Sequence, residues 1–288
     1  MSCTRKMYSS LYFFHDMKAM LFAAGMGTRL KPLTDIMPKA LVPVNGRPLL
    51  AHVIERLCHY GVTEVVINVH HFASQIIDYV NTHDLGCKVK ISDETEKLLD
   101  TGGGLKKASS LFFDCDPHIV SRDCSKPLAN MANTQDGSLG NDDEPILVHN
   151  VDIFSNANLS EFYEHNRGNA ITLMVSERQT SRYLLFNDNN ELVGWTNVKT
   201  GEVRSPYDDL DISSCHRYAF SGIHLISPSV FKLMNDFPDK FPIMDFYLSI
   251  CDRVIIKADV QHDLQLLDVG KQDTLRVAEA FLNKLNGQ

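Results

Sequence analysis

Two glycines and two cations cluster near the start of the chain: Ala23-Ala24-Gly25-Met26-Gly27-Thr28-Arg29-Leu30 and Lys31-Pro32-Leu33-Thr34, followed by Pro38-Lys39 and Pro43-Val44-Asn45-Gly46-Arg47-Pro48. Glycine at 25 and 27 lets the backbone take positive φ and approach a ligand closely, so successive N–H groups can converge on phosphate oxygens. Arg29 and Lys39 add fixed positive charge. The spacing argues against two other phosphate-binding loops, because no Lys-Ser or Lys-Thr follows and the third glycine of a dinucleotide fingerprint is missing.

Much further along, His149-Asn150-Val151-Asp152-Ile153 follows a strand-like run, at the carboxyl end where ligands gather in open parallel sheets. Leu266-Leu267-Asp268-Val269-Gly270 supplies a second aspartate. Carboxylates from two distant segments suit a hard cation such as Mg²⁺ shared with phosphate oxygens.

Taken together, G-x-G-T-R-L-x-P-L-T, then P-K, then P-V-x-G-x-P resembles the signature of the sugar-1-phosphate nucleotidylyltransferases. Within that family the nearest likeness is to N-acetylmuramate-1-phosphate uridylyltransferases, followed by mannose- and heptose-1-phosphate guanylyltransferases. The resemblance extends the nucleotide contacts to Ala24 and Thr28. Leu98-Leu99-Asp100-Thr101-Gly102-Gly103-Gly104-Leu105 looks like the family's L-x-T-G-G-G segment, which implies that Thr101 and Gly102 meet the nucleobase. It also implies Asp152 and Asp268 as ligands of Mg²⁺, Gly222 as the residue leaving room for the sugar ring, and a cation on the sugar phosphate. Arg178, Arg182 and Lys199 are available for that last role, and Arg182 is expected to fill it. One departure stands out: Val151 occupies the family's usual glycine position, where its branched side chain would crowd the phosphates.

The reaction implied joins a nucleoside triphosphate to a sugar 1-phosphate, giving an NDP-sugar for cell-wall or surface polysaccharide and pyrophosphate. UTP is the first expectation and GTP the second. A sugar phosphate is largely dianionic at neutral pH, so no protein base is needed to activate it. Alignment and charge neutralisation are then the enzyme's task, and Arg29, Lys39 and Mg²⁺ suit it. Two alternatives remain open: a catalytically silent relative that binds nucleotide and regulates a partner, and a transferase acting on a non-sugar phosphate such as phosphocholine.

The elements that must position these residues follow from periodicity. Lys18–Ala23 reads as a buried strand, and Pro48 opens an amphipathic helix carrying Leu50, Val53, Ile54 and Leu57, with Gly61 as its cap. Strands over 64–69, 88–92 and 146–150 alternate with helices over 73–80 and after Gly104, so the fold class is α/β: a Rossmann-like, mainly parallel sheet flanked by helices. The resemblance implies the nucleotide-diphospho-sugar transferase, GT-A-like version of it. Strands over 170–176, 183–186, 191–196 and 218–226 predict a smaller β-rich acceptor region in the same domain. Helices over 228–235 and 242–251, a strand over 254–257 and a helix over 271–285 close the chain. Residues 1–16 read as an extension before a domain of 17–288, and the polar stretch 114–145 as a surface insertion.

Composition bounds the rest. A net charge of −8 over 288 residues argues against a nucleic-acid partner, since that requires a basic face. No apolar run is long enough to span a bilayer, so no membrane association is expected. The 7 scattered cysteines contain no C-x-x-C pair, which fits a reducing cytoplasm. His70-His71 point to opposite faces of a strand and are not expected to share a metal.

Overall fold

The computed structural model describes residues 16–113 and 144–286. The expected extension and insertion therefore lie outside the described residues, apart from Asp16, Glu144 and Pro145. In chain order the elements are β1 (Met17–Phe22), a small hairpin of β2 (Pro43–Val44) and β3 (Arg47–Pro48), α1 (Leu49–His59), β4 (Val62–Val69), α2 (Ala73–Thr82), β5 (Lys88–Asp93) and α3 (Asp100–Ala108). Then come β6 (Ile146–Asn150), β7 (Ile153–Ser155), α4 (Leu159–Asn166), β8 (Ile171–Ser176), β9 (Arg182–Phe186), β10 (Leu192–Asn197), β11 (Glu202–Arg204), β12 (His216–Ile226), α5 (Ile243–Ile250), β13 (Ile256–Val260), β14 (Leu266–Asp268) and α6 (Gln272–Asn286).

The fold is the expected mixed α/β sheet. Strands β5, β4, β1 and β6 lie side by side and parallel, and β12 joins β6 antiparallel. The far part of β12 also pairs with β8, which carries β13 in parallel, while its first residues pair with β9 and so with the β9–β10–β11 meander. Of the β-rich region read from the sequence, β9 and β10 lie in this meander, whereas β8 and most of β12 continue the main sheet.

Both faces are covered, and the period-2 alternation of each strand explains how. Ala19 and Leu21 of β1 and Val65 and Ile67 of β4 join one core with α1, α4 and α6. The intervening Met20, Phe22 and Val66 join a second core with α3 and α5. Leu50, Val53, Ile54 and Leu57 of α1 are all buried in the first core, as their spacing requires. After α1, Gly61 takes φ +96°, the left-handed turn that a C-terminal glycine supplies.

Two expectations need correction, and some short elements were not expected. The helix placed after Gly104 begins at Asp100, so the glycines lie within its first turns. The last parallel strand sits at 256–260 rather than 254–257. Helix α4 and the pair β7–β14 had no clear signal, being eight residues and three residues long.

Candidate active site

Register fixes where a ligand site can form. Phe22 at the end of β1 lies level with Asn68 of β4 on one side and Asn150 of β6 on the other. The chain leaves β1 towards β4 and returns on the opposite side as β6, so a crevice opens at the carboxyl ends of these strands. The glycine loop fills one wall of it.

Within the loop, Gly27 takes φ +63° and its carbonyl accepts hydrogen bonds from Leu30 N (2.8 Å) and Thr34 Oγ1 (2.9 Å). A Cβ on Gly27 would stand 2.8 Å from Thr34 Cγ2 and 3.0 Å from Lys39 Cβ, so only glycine fits. Gly25 differs from expectation: its φ is not positive, and a Cβ there would meet nothing within 4 Å. Among the described residues the N–H groups from Gly25 to Arg29 make no hydrogen bond to protein, while Ala23 and Ala24 donate to Asn68 Oδ1 at 2.8 and 3.4 Å. Ala24 therefore fixes the loop from within, and Gly25 to Arg29, with Thr28 exposed among them, present free donors.

The two cations and two aspartates converge below the loop. The Lys39 ammonium is ion-paired with the Asp152 carboxylate, and both side chains are largely buried, 13% and 14% exposed. Asp268 faces the same group: crowding of its carboxyl by protein and the neighbouring Asp152 charge raise its pKa, against the opposing pull of Lys39 and Arg29. Gly270 lets them close in on its backbone, since a Cβ there would lie 2.6 Å from Asp268 Oδ1, 2.9 Å from Arg29 Nη2 and 3.4 Å from Asp152 Oδ2. The short strands do the positioning. Asp268 is paired with Ile153 across β7–β14, and Val269 N donates to Asp152 O at 2.8 Å.

Val151 does not crowd this site. Its side chain is 3% exposed and lies in the first core, so the departure from the family pattern points away from the crevice.

A buried support was missed in the sequence. Asn68 Nδ2 donates to Glu94 Oε1 (2.8 Å), and Glu94 Oε2 accepts from Leu99 N (3.1 Å). Glu94 is 1% exposed, and burial raises its pKa. One amide and one carboxylate thus tie the glycine loop to the start of α3. The available signal was Asn68 itself, a polar residue among the β-branched run Val65-Val66-Ile67 and Val69.

Thr101 and Gly102, expected to face a base, also make contacts within the protein. Thr101 Oγ1 accepts from Ile243 N (2.9 Å), and Gly102 N donates to Phe241 O (2.9 Å). A Cβ on Gly102 would strike the Phe241 ring at 2.3 Å, one on Gly103 the Asp239 carbonyl at 2.0 Å, and one on Gly104 Glu94 Oε1 at 2.7 Å. Gly102 and Gly103 let α3 dock closely on the 239–243 segment, and Gly104 lets it approach the Asn68–Glu94 pair.

Gly222 also serves contact within the protein rather than open room. It takes φ +82°, and the space of its missing side chain holds Asn150 Nδ2 (2.6 Å) and Ile153 Cγ1 (3.3 Å). Arg182 is exposed at the head of β9, and no contact joins it to Arg29, Lys39, Asp152 or Asp268 among the described residues. Arg178, by contrast, donates to Phe220 O (2.9 Å), beside the irregularity of β12 that contains Gly222. His70 and His71 bond different carbonyls, those of Glu94 and Thr34.

The crevice lies at the switch point of a mixed α/β sheet, with the free amides of the glycine loop on one wall and two cations and two aspartates gathered beside them. Residues 18–183 match the Nucleotidyl transferase family, and the chain belongs to it. It is 44% identical over 108 residues to an N-acetylmuramate alpha-1-phosphate uridylyltransferase of Caulobacter vibrioides, covering 36% of this chain and 45% of the relative. A mannose-1-phosphate guanyltransferase of Kluyveromyces lactis is 24% identical over 277 residues, which cover 94% of this chain and 66% of the relative. The chain thus spans less than two thirds of the length of these relatives. In fold it is similar to HddC from Yersinia pseudotuberculosis, with a TM-score of 0.65 and 19% identity across 92% of this chain and 99% of the other.

Proposed function

We propose that the protein is a Mg²⁺-dependent nucleotidyltransferase that condenses a nucleoside triphosphate with a sugar 1-phosphate, with UTP as first donor and GTP as second. The observation carrying this reading is the convergence of Arg29, Lys39, Asp152 and Asp268 beneath the unpartnered amides of Gly25 to Arg29. The sugar-phosphate oxygen forms a bond to the α-phosphorus as the bond from that phosphorus to the bridging oxygen breaks, and pyrophosphate carries away the electron pair. Lys39 and Arg29 neutralise the charge that grows on it, while the loop amides hold the triphosphate in line.

The residues present fit a divalent cation. Two carboxylates are held so close that one raises the proton affinity of the other, and the missing side chain of Gly270 lets Asp268 and Arg29 approach its backbone. Asp152 and Asp268 would hold Mg²⁺, which supplies further neutralisation of the triphosphate. The Caulobacter relative supports the ordering of UTP before GTP. Free Cys58, Cys87, Cys215 and Cys251 accord with a cytoplasmic setting, and no helix among the described residues is long and apolar enough to cross a membrane.

The test is a pyrophosphate-release assay crossing four NTPs with N-acetylmuramate, N-acetylglucosamine, mannose and heptose 1-phosphates, with and without Mg²⁺. Release is expected with UTP, or failing that GTP, and only with the metal. No release from any pair would overturn the proposal.

A further inference from the structure

Cys58 stands in the last turn of α1, shortly before β4, and Cys87 immediately precedes β5. Strands β4 and β5 are parallel neighbours, so the turns that lead into them meet at the amino ends of the sheet, opposite the crevice. The turn before β5 is shaped for this meeting. Asp84 Oδ1 accepts from Gly86 N (3.0 Å), and Gly86 takes φ +79°. Cys58 Sγ donates to the Leu85 carbonyl at 3.6 Å, and the Cβ that Gly86 lacks would lie 4.0 Å from the same sulfur. The thiols of Cys58 and Cys87 are hydrogen-bonded to one another. Both side chains pack on the first core, which holds them in place, yet both stay half-buried beside exposed His59, Asp84 and Gly86. Cys215 and Cys251 differ, for their thiols donate to the main-chain carbonyls of Asp211 and Leu248.

The two sulfurs are not equivalent. The hydrogen bond from Cys87 favours the anionic form of Cys58 and lowers its pKa, whereas the same bond, together with burial, raises that of Cys87. A thiolate-prone sulfur beside a protonated one is the pairing in which the first attacks an oxidant and the second resolves the product.

We propose that Cys58 and Cys87 form an oxidisable dithiol, a modification site for hydroperoxides whose product is a disulfide fastening the end of α1 to the foot of β5. The Cys58 thiolate attacks a peroxide oxygen. An S–O bond forms, the O–O bond breaks, and the departing hydroxide or alkoxide takes up the proton that Cys58 gave up. Cys87 then attacks the sulfenic sulfur: the S–S bond forms, the S–O bond breaks, and the hydroxyl group leaves with the Cys87 proton as water. The thiols lose two electrons and the hydroperoxide gains them. The bridge encloses β4 and α2 in a loop of about 30 residues and restricts the unfolded chain accordingly. Its formation does not depend on the donor or acceptor used in the crevice.

Peptide mapping of the reduced full chain after treatment with hydrogen peroxide tests it, with remaining thiols alkylated before a non-reducing digest. A peptide pair joined through Cys58 and Cys87 is expected, lighter by two hydrogens than its parts and separated again by dithiothreitol. The melting temperature should rise by roughly 5 °C or more on oxidation and return on reduction. Cys58→Ser and Cys87→Ser should each abolish that rise. Cys87→Ser should also leave Cys58 as a sulfenic acid that dimedone captures, whereas Cys58→Ser should leave Cys87 unlabelled. Cys58 and Cys87 both open to alkylation after peroxide, either of them joined to another cysteine instead, or a Cys58–Cys87 bridge that leaves the melting temperature unchanged would overturn the inference.

Discussion

The Lys39 ammonium meets the Asp152 carboxylate across 113 residues of sequence, joining the glycine loop to the segment that follows β6. The pair is mostly shielded from water, so each charge depends on the other until a ligand arrives. Lys39→Ala should lower turnover by about 10²–10³-fold, as loss of a preorganised charge at a developing anion does. The preference among NTPs should stay unchanged, because the proposed partner of Lys39 is phosphate. Steady-state kinetics with UTP and GTP decide it: an altered base preference at an unaltered rate refutes the role.

Asp152→Asn and Asp268→Asn should each reduce turnover by about two orders of magnitude or more, since a hard cation needs the anionic oxygens. For Asp268→Asn the metal-free protein should melt higher than wild type. The folded state raises the Asp268 pKa, so it binds this proton more readily than the unfolded chain, and stability falls as pH rises through that range. At neutral pH the amide relieves the cost. Calorimetry on the metal-free proteins reads the difference, and a lowered melting temperature contradicts the crowding of the two carboxylates.

Gly270→Ala should reduce turnover by about tenfold or more while the fold persists, because the new methyl displaces Asp268 and Arg29 by a fraction of an ångström to an ångström. Normal kinetics would show that the close approach of Asp268 and Arg29 to Gly270 has no functional use.

Glu94→Ala should destabilise the protein by about 2–4 kcal/mol, leaving the Asn68 amide and the Leu99 N–H buried without an acceptor. Donor KM should rise as well, since Asn68 sets the start of the glycine loop. Urea unfolding together with donor titration checks both parts. A stable variant with an unchanged KM removes Glu94 from the support of the loop.

Two buried histidines predict an acid-sensitive fold. Burial lowers the pKa of His149 to about 4 and that of His224 to about 3, from 6.5. The unfolded chain therefore takes up these protons first, so stability should fall as pH drops below about 6.5 and continue falling towards 4. His224 has no hydrogen-bond partner on either ring nitrogen and packs edge-on against Tyr247 at 5.5 Å. His224→Phe should flatten this dependence without loss of stability at pH 7, as read by melting temperature across pH.

Sequence and structure divide along the range of the forces involved. The strand-to-loop passage at 18–30, the buried stripe of α1 and the parallel strands 64–69 and 146–150 are local matters of periodicity and glycine placement, and the chain states them directly. So are Arg29, Lys39, Asp152 and Asp268 as residue types capable of handling phosphate. What each does with its neighbours is not local. Thr101 and Gly102 have a ligand-binding motif's spelling, and only the tertiary structure shows that Thr101 Oγ1 accepts from Ile243 N and that the Gly102 amide donates to Phe241 O. Gly222 has the freedom expected, but Asn150 occupies the space it leaves. Val151 departs from the family pattern, but the turn after β6 directs its side chain into the core. The buried Asn68–Glu94 bond spans β4 and the segment after β5, and its two members carry no mutual spacing rule that periodicity could reveal. Tertiary packing alone decided which polar groups were already satisfied and which, like the amides from Gly25 to Arg29, were left for a ligand.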